Sequence, residues 1–530
     1  MAKIFSFGQD AREKIMAGAG VVAAAVSSTI GPAGKLVVFR DRSGNQRFTK
    51  DGVSVAKACL PLKDPFENYG AEIIKNASNR TVESCGDGTS SSAILANYFI
   101  KEGMRLTAAG YNAVNIKKGI DFAVKKIVVR LKETAKPIKN QQDIINVGTV
   151  SANNDVSIGT LIADAISKVG NDGIVNLQES KGLKDELEIV TGYMFDRGYL
   201  SPYFATNEKS ECVLENPLIL ITNKQINNVN VIMPILDSCH KKYIGRPLCV
   251  IADGVESEAL ATLLVNHVKA SFRSVCIKNP GFGNRRLELM NDIAILAGAQ
   301  VVSEEMGYKL ENFDVAWLGS AKKVIVTNNT TTIVEGAGKT EDIEKRANEI
   351  RNTINTSEGH DKEQQESRLA KFVSGVAQIY VGGQTEGEIK EKLDRFEDAL
   401  SATKSAIAEG IVPGGGVALL RAVKILDEIE ILEEIKEGVK IVKRAVEEPL
   451  KKIIENAGLD VAEIRLKILA NDNPSFGFNS ATEKYEDLME TGVIDPVKVV
   501  RCSLENAASV AGLVLTTDCM IADEPEDKKK

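Results

Sequence analysis

The two ends of this chain share a helical texture that its middle lacks, and that asymmetry limits the available folds more than any single motif. Asp10 can N-cap a helix, with Glu13 at the capping-box position; the helix runs to about Ser28 and stops at Gly31-Pro32. A short hairpin is predicted over 36–40 and 47–49, around Ser43-Gly44-Asn45. From 64 to 130 the pattern is mostly helical, broken by Gly86-Asp87-Gly88. Between 171 and 335, short β-rich runs (173–177, 218–222, 248–252, 274–277, 323–327) alternate with helical stretches, as in an α/β domain. A charged helical stretch over 339–371, broken near Thr356–His360, follows. After Gly375 a β-rich run leads to a helix over 386–409, and past Gly414-Gly415-Gly416 the chain is helical to about Asn471. A chain of 530 residues is too long for one core. The simplest account is a helical domain built from both termini with an α/β domain inserted in it.

Composition then excludes several chemistries. Net charge is −7 and no basic run is long enough to track a phosphate backbone, which argues against nucleic acid as a partner. The eight cysteines contain no C-x-x-C pair, so neither a zinc ribbon nor a redox dithiol is expected; they read as reduced thiols of a cytoplasmic protein. No stretch reaches the ~18 consecutive apolar residues of a membrane span. His240, His267 and His360 are not spaced for a metal, which leaves carboxylates, hydroxyls and backbone amides to carry any chemistry.

Two motifs are decoys. Gly336-Ala337-Gly338-Lys339-Thr340 ends like a Walker A loop, but Ile333 stands where its first glycine is needed. Gly18-x-Gly20-x-x-Ala23 matches a dinucleotide fingerprint but lies inside a helix. Gly86-Asp87-Gly88-Thr89-Ser90-Ser91-Ser92 leads flexible glycines into a helix start rich in hydroxyls. That suits a phosphate, with Asp87 free to hold Mg²⁺, and equally suits a plain capped helix. The loop Thr29–Gly34, the junction Lys50-Asp51-Gly52, the triple glycine 414–416 and Asp398 each have a bland reading too: turn, cap, hinge and exposed helix face.

The combination is what distinguishes them. Thr29-Ile-Gly-Pro-x-Gly34, Thr49-Lys-Asp-Gly-Val-Ser-Val55, Gly86-Asp-Gly-Thr89, Phe195-Asp-Arg-Gly-Tyr-Leu-Ser-Pro-Tyr-Phe204, Lys278-x-Pro-Gly-Phe-Gly-x-Arg-Arg286, Gly414-Gly-Gly-Val-Ala-Leu419 and Ala507-Ala-Ser-Val-Ala-Gly-Leu513 together resemble the GroEL-type (group I) chaperonins, from about Phe7 to Asp523.

The resemblance implies a multidomain α+β chaperonin fold. It would have a mainly helical equatorial domain from both termini (1–135, 409–530), a small α/β intermediate hinge (136–190, 375–408) and an inserted α/β apical domain (191–374). It implies an ATPase with ATP and Mg²⁺ as cofactors, and admits K⁺. Thr29, Ile30, Gly31 and Pro32 would line the nucleotide; Asp87 would coordinate Mg²⁺; Gly88, Thr89, Ser90 and Ser91 would cradle phosphates that Lys50 faces. Gly415, Asn479, Ser480, Ala481 and Asp495 would hold the nucleoside, while Asp398 organises hydrolysis and Asp51 orients the water. Phosphoryl transfer needs positioning and charge neutralisation, which carboxylates supply without histidine. Tyr199, Ser201, Tyr203, Phe204, Met233, Leu236, Leu260, Leu264 and Val265 would present a surface to non-native polypeptides. From periodicity alone the apolar residues of the two helices there, about 229–241 and 256–270, read as core. The implied assembly is a sevenfold homo-oligomeric ring with a GroES-type co-chaperonin. A passive holdase without turnover is the alternative.

Some residues depart from the family pattern. Serines replace threonines at 90 and 91, Ser480 replaces an alanine, and Ala33 an often basic residue. The chain ends Glu524-Pro-Glu-Asp-Lys-Lys-Lys530 where many relatives carry Gly-Gly-Met repeats. Such drift suits a divergent paralogue or a virus-encoded copy.

Overall fold

The computed structural model describes residues 2–40, 44, 46–170, 173–180, 182–190, 192–207, 210–281, 283–304, 307–356, 365, 368–369, 372 and 375–524. Ser43 and Asn45 of the hairpin tip, the helix break over 357–360 and the tail over 525–530 lie outside the described residues.

The chain forms two compact units. One comprises Met1–Asp164, Leu177–Glu186 and Tyr380–Lys530; the other comprises Ala165–Asn176 and Leu187–Ile379. Both termini thus build one unit, and the other is inserted. The segments expected as a hinge divide between them: 136–164, 177–186 and 380–408 fall in the first unit, and 165–176, 187–190 and 375–379 in the second.

The first unit is a helical body of Gly8–Ser27, Pro65–Cys85, Thr89–Ala108, Ala113–Thr134 and Val497–Leu515. With few aromatics available, its core is filled by small and aliphatic residues such as Ala19, Val22, Leu95, Ile127, Leu504 and Ala511, which let helix axes approach closely. The closest approach uses paired glycines. A Cβ on Gly18 would collide with Glu67 O, and one on Gly70 with Ile15 O, whereas Gly20 faces open space. Gly18 of the dinucleotide look-alike is therefore a helix-packing residue.

Caps set several boundaries. Asp64 accepts from Phe66 N at 2.8 Å, and Asn112 from Val114 N at 2.8 Å. The first helix differs from expectation: it begins at Gly8, with Phe7 at the N-cap and no side-chain cap. Asp10 lies in its first turn and accepts from Ser6 Oγ at 2.5 Å. The strand Lys3–Phe7 starts this reordering by pairing antiparallel with Cys519–Asp523. The predicted hairpin forms as Val37–Arg40 against Gln46–Thr49.

The second unit is built on a mixed eight-stranded sheet. Its main path runs Ser274–Lys278, Leu248–Ala252, Leu218–Thr222, Gly319–Val326, Thr331–Gly336, Gly192–Phe195. The first three strands are parallel and the rest antiparallel. Leu218–Thr222 and Leu248–Ala252 are buried at every position, as expected of strands covered on both faces. Helices Val229–Lys242, Ser257–Val268 and Asn284–Ala297 pack here. The Walker look-alike joins the strand Thr331–Gly336 to the helix Thr340–Thr356, but Cβ atoms on Gly336 and Gly338 would collide with Leu296 O and Ile295 O. Backbone occupies the space a phosphate would need.

Candidate active site

In the first unit, the helix Pro65–Cys85 ends and Thr89–Ala108 begins three residues apart, a turn made possible by two left-handed glycines. Gly86 (φ 75°) is the C-cap of one helix and Gly88 (φ 83°) the N-cap of the next. A Cβ at 86 would collide with Ser401, and one at 88 with Ser503 and Val499. Asp87 is thereby pinned between them. Because Gly88 supplies no side-chain cap, the first amides of Thr89–Ala108 are left for an anion.

Asp87 and Gly88 line an open cleft of about 1230 Å³, counting its mouth. Ile30, Gly31 and Pro32 form one part of its wall. Their loop is tied down by Asn456, whose Nδ2 donates to Ser27 O at 3.0 Å and Ile30 O at 2.9 Å. Gly415, in the left-handed region at φ 62°, and Asp495, on the strand Ile494–Pro496, form another part. The hairpin Phe476–Asn479 with Lys484–Asp487 presents Phe478, Asn479, Ser480 and Ala481. Asn479 is also committed to its own turn, accepting from Ala481 N at 3.0 Å and donating to Glu486 Oε1 at 2.7 Å.

Two more carboxylates reach this place from distant sequence. Asp51 caps the helix Gly52–Ala58, accepting from Val53 N at 3.2 Å and Ser54 N at 2.7 Å. Gly52 abuts the next wall: a Cβ there would lie 2.7 Å from Thr89 Oγ1 and 2.6 Å from Ser90 Oγ. Asp398 is carried by the helix Glu386–Glu409, which Ser405 holds to the end of Pro65–Cys85 by donating to Cys85 O at 3.1 Å.

The four aspartates share one electrostatic field. Withdrawal from water raises Asp87 and the Asp51 charge raises it further, opposed by hydrogen bonds from Gly88 N and Ser151. Asp398 is raised well above the usual carboxylate range by burial, then by Asp87 and Asp51. Asp495 is pushed up to about 7 by burial and by Asp87. Carboxylates raised by burial and by a neighbouring negative charge mark a place where a cation would be favourable. Among the described residues no three His, Cys, Asp or Glu side chains gather closely enough to hold an ion by themselves. That donor set fits Mg²⁺, which keeps waters and takes one or two carboxylates plus ligand phosphates.

Of the expected nucleotide residues, Ile30, Gly31, Pro32, Asp87, Gly88, Ser91, Gly415, Asn479, Ser480, Ala481 and Asp495 line this cleft. Thr29 and Thr89 do not; both are buried. Thr29 Oγ1 donates to Val26 O at 2.9 Å and sits 3.3 Å from Ser90 Oγ, so it braces the wall from behind. Lys50 and Ser90 are likewise absent from the lining. Sequence reasoning missed Asn153 and Asn154, which line the cleft just beyond the helix Gln141–Ser151 in the left-handed conformation (φ 57° and 66°). The Asn-Asn-Asp run at a helix end was the available signal. Leu419, Ile453, Phe478, Val493 and Val499 give the cleft an apolar component.

In the second unit the expected polypeptide surface is only partly exposed. Tyr203, Met233 and Val265 are 75%, 40% and 51% exposed, while Ser201, Leu260 and Leu264 are half-buried. Tyr199, Phe204 and Leu236 require correction, because all three are buried in the core. Phe204 stands edge-on to His267 at 5.4 Å, and Leu236 shares the inner face of Val229–Lys242 with Ile232, Ile235 and Cys239. Among the described residues no helix is long and apolar enough to cross a membrane.

The sequence matches the TCP-1/cpn60 chaperonin family over residues 22–233 and 227–525, so the chain belongs to that family, and its fold is the chaperonin fold. A similar solved structure is the chaperonin gp146 from bacteriophage EL 2 (Pseudomonas aeruginosa), crystallised in the presence of ATP-BeFx. One crystal form aligns at TM-score 0.68 and 23% identity, covering 98% of this chain and all 100% of that one. A second form aligns at TM-score 0.63 and 22% identity, covering 98% and 99%.

Proposed function

We propose that this chaperonin hydrolyses ATP in the cleft around Asp87 and uses the cycle to bind and release non-native polypeptides within a homo-oligomeric ring. The observation that carries this reading is the convergence of Asp51, Asp87, Asp398 and Asp495 at a glycine-flanked, uncapped helix start. The crystallisation of gp146 with ATP-BeFx supports it. The three-part division into equatorial, intermediate and apical domains belongs to the same proposal.

In this reading the amides of the turn that follows Gly88, with Ser91, bind phosphate, and Leu419, Ile453, Phe478 and Val493 pack on the base. Asp87 holds Mg²⁺, which when bound neutralises phosphate charge. The charge coupling then gives Asp398 a conditional role. Its carboxyl is raised by burial first and then by the negative charge on Asp87 and Asp51, so offsetting those two charges would bring it back toward the carboxylate that can polarise water. Asp51, anchored as a helix cap, keeps free lone pairs to orient that water. Tyr203, Met233 and Val265, with the half-buried Leu260 and Leu264, form the polypeptide-binding surface. A GroES-type lid on the same unit is part of the proposal.

Steady-state ATPase activity of the purified protein, measured with its native mass, tests this. Mg²⁺-dependent hydrolysis by a particle of ring size is expected. A ring without turnover would instead establish a passive holdase.

A further inference from the structure

Cysteine spacing offers no dithiol motif, yet the fold gathers Cys85 and Cys502 into one small buried cluster. Cys85 ends the helix Pro65–Cys85, and Cys502 lies on Val497–Leu515. Both are free thiols, 4% and 7% exposed, packed with Val499 in a small cluster of their own. Val499 also belongs to the wall of the cleft, so one side chain separates the thiols from it. Around the pair, Cys85 Sγ contacts Asp87 O at 3.4 Å and Ser503 donates to Gly88 O at 3.0 Å. The thiols therefore sit under the two-glycine turn that presents Asp87.

We propose that Cys85 and Cys502 are an oxidative modification site, a thiol pair that closes to a disulfide and locks the Asp87 turn onto the helix Val497–Leu515. A peroxide of the size of water, hydrogen peroxide, is the oxidant. The Cys502 sulfur attacks one peroxide oxygen, the O–O bond breaks, and the departing hydroxide takes a proton and leaves as water. Cys502 is then a sulfenic acid. The Cys85 sulfur attacks the Cys502 sulfur, the S–O bond breaks, and the hydroxide takes the Cys85 proton and leaves as a second water. Two thiols lose two electrons and one peroxide gains them. The surroundings favour Cys502 as the attacking group: the neighbouring Cys85 thiol and then the Arg501 guanidinium draw it down, whereas Cys502 and burial push Cys85 up. Arg501 is itself held by Glu409 at 2.6 Å.

The bond would tie 85 to 502 across the base of the turn. Gly86 and Gly88 already lack room for a Cβ, so little freedom would remain for Asp87 to follow a phosphate through hydrolysis. The link itself is independent of the proposed ATPase; only its effect on turnover rests on that reading.

The test oxidises the full-length protein with hydrogen peroxide, alkylates it, and digests it with trypsin and Glu-C. Cleavage after Glu505 separates Cys502 from the exposed Cys519. Mass spectrometry is expected to find the 85-containing peptide joined to the 502-containing peptide with loss of two hydrogens. ATP turnover should be lost as the link forms, and both changes should reverse with dithiothreitol. Cys502→Ser, and Cys85→Ala as a second variant with an apolar side chain, should keep their turnover through the same treatment. No joined peptide in a sample whose Cys519 is fully oxidised would overturn the site. Peroxide inactivation persisting in both variants would overturn the lock. If the reduced protein shows no ATP turnover, the proposed function fails, and the joined peptide still decides the site.

Discussion

Asp495 titrates near 7 in the fold because it is withdrawn from water beside Asp87, against an ordinary value of 3.8. The native state therefore favours its protonated form. Its contribution to stability is full at pH below about 3.8, is lost as pH rises toward 7, and stays lost above. In EDTA, the melting temperature should thus fall between pH 5 and pH 8. Asp495→Asn should flatten that profile and stabilise the protein at pH 8 by ~1–2 kcal/mol, less than the whole shift because solvent reaching the partly exposed side chain screens it. Asp398→Ala should lower ATP turnover by ~10²–10⁴-fold while leaving nucleotide affinity nearly unchanged, as single-turnover and binding measurements would show. A loss of affinity matching the loss of turnover would instead make Asp398 part of the binding wall. At this scale the sequence was a poor guide to proximity. Asp51, Asp87, Asp398 and Asp495 are ordinary polar residues in their own segments, and only the packing of the elements that carry them around the Gly86–Gly88 turn brings their charges into one field. The thiol pair was hidden for the same reason, its members being separated by most of the chain.

Elements were far more legible, since their signals are local. Glycine at 86 and 88 marks the turn, aspartate at 51 marks a cap, and unbroken apolar runs mark the buried strands of the inserted unit. The start of the first helix was missed because a long-range strand pairing, not a cap, fixes where it begins. Helix faces were harder to read. Tyr203 and Phe204 are adjacent aromatic residues, one exposed and one buried, and nothing in their composition separates them. The glycines of the first helix give a direct test of element packing. Gly18→Ala should destabilise by ~1–3 kcal/mol, since its Cβ meets the backbone of the neighbouring helix. Gly20→Ala should be neutral or stabilising by up to ~1 kcal/mol, because nothing obstructs it and alanine favours helix. Chemical denaturation of the two variants would separate these outcomes.

For the whole molecule, two units imply two separable losses. Val265→Glu places a charge on an exposed position of the inserted unit, far in sequence from every cleft residue. It should abolish suppression of aggregation of a denatured client while leaving ATP turnover unchanged, measured by light scattering and phosphate release on one preparation. The order of assembly is also constrained. The strand Lys3–Phe7 finds its partner only at Cys519–Asp523, with Lys3 opposite Asp523. During synthesis the strand Lys3–Phe7 must wait until Cys519–Asp523 has been made, while the inserted unit has its whole core available by Ile379. A chaperonin built this way leaves Lys3–Phe7 without its strand partner until Cys519–Asp523 emerges, and is itself, for that interval, a polypeptide in need of protection.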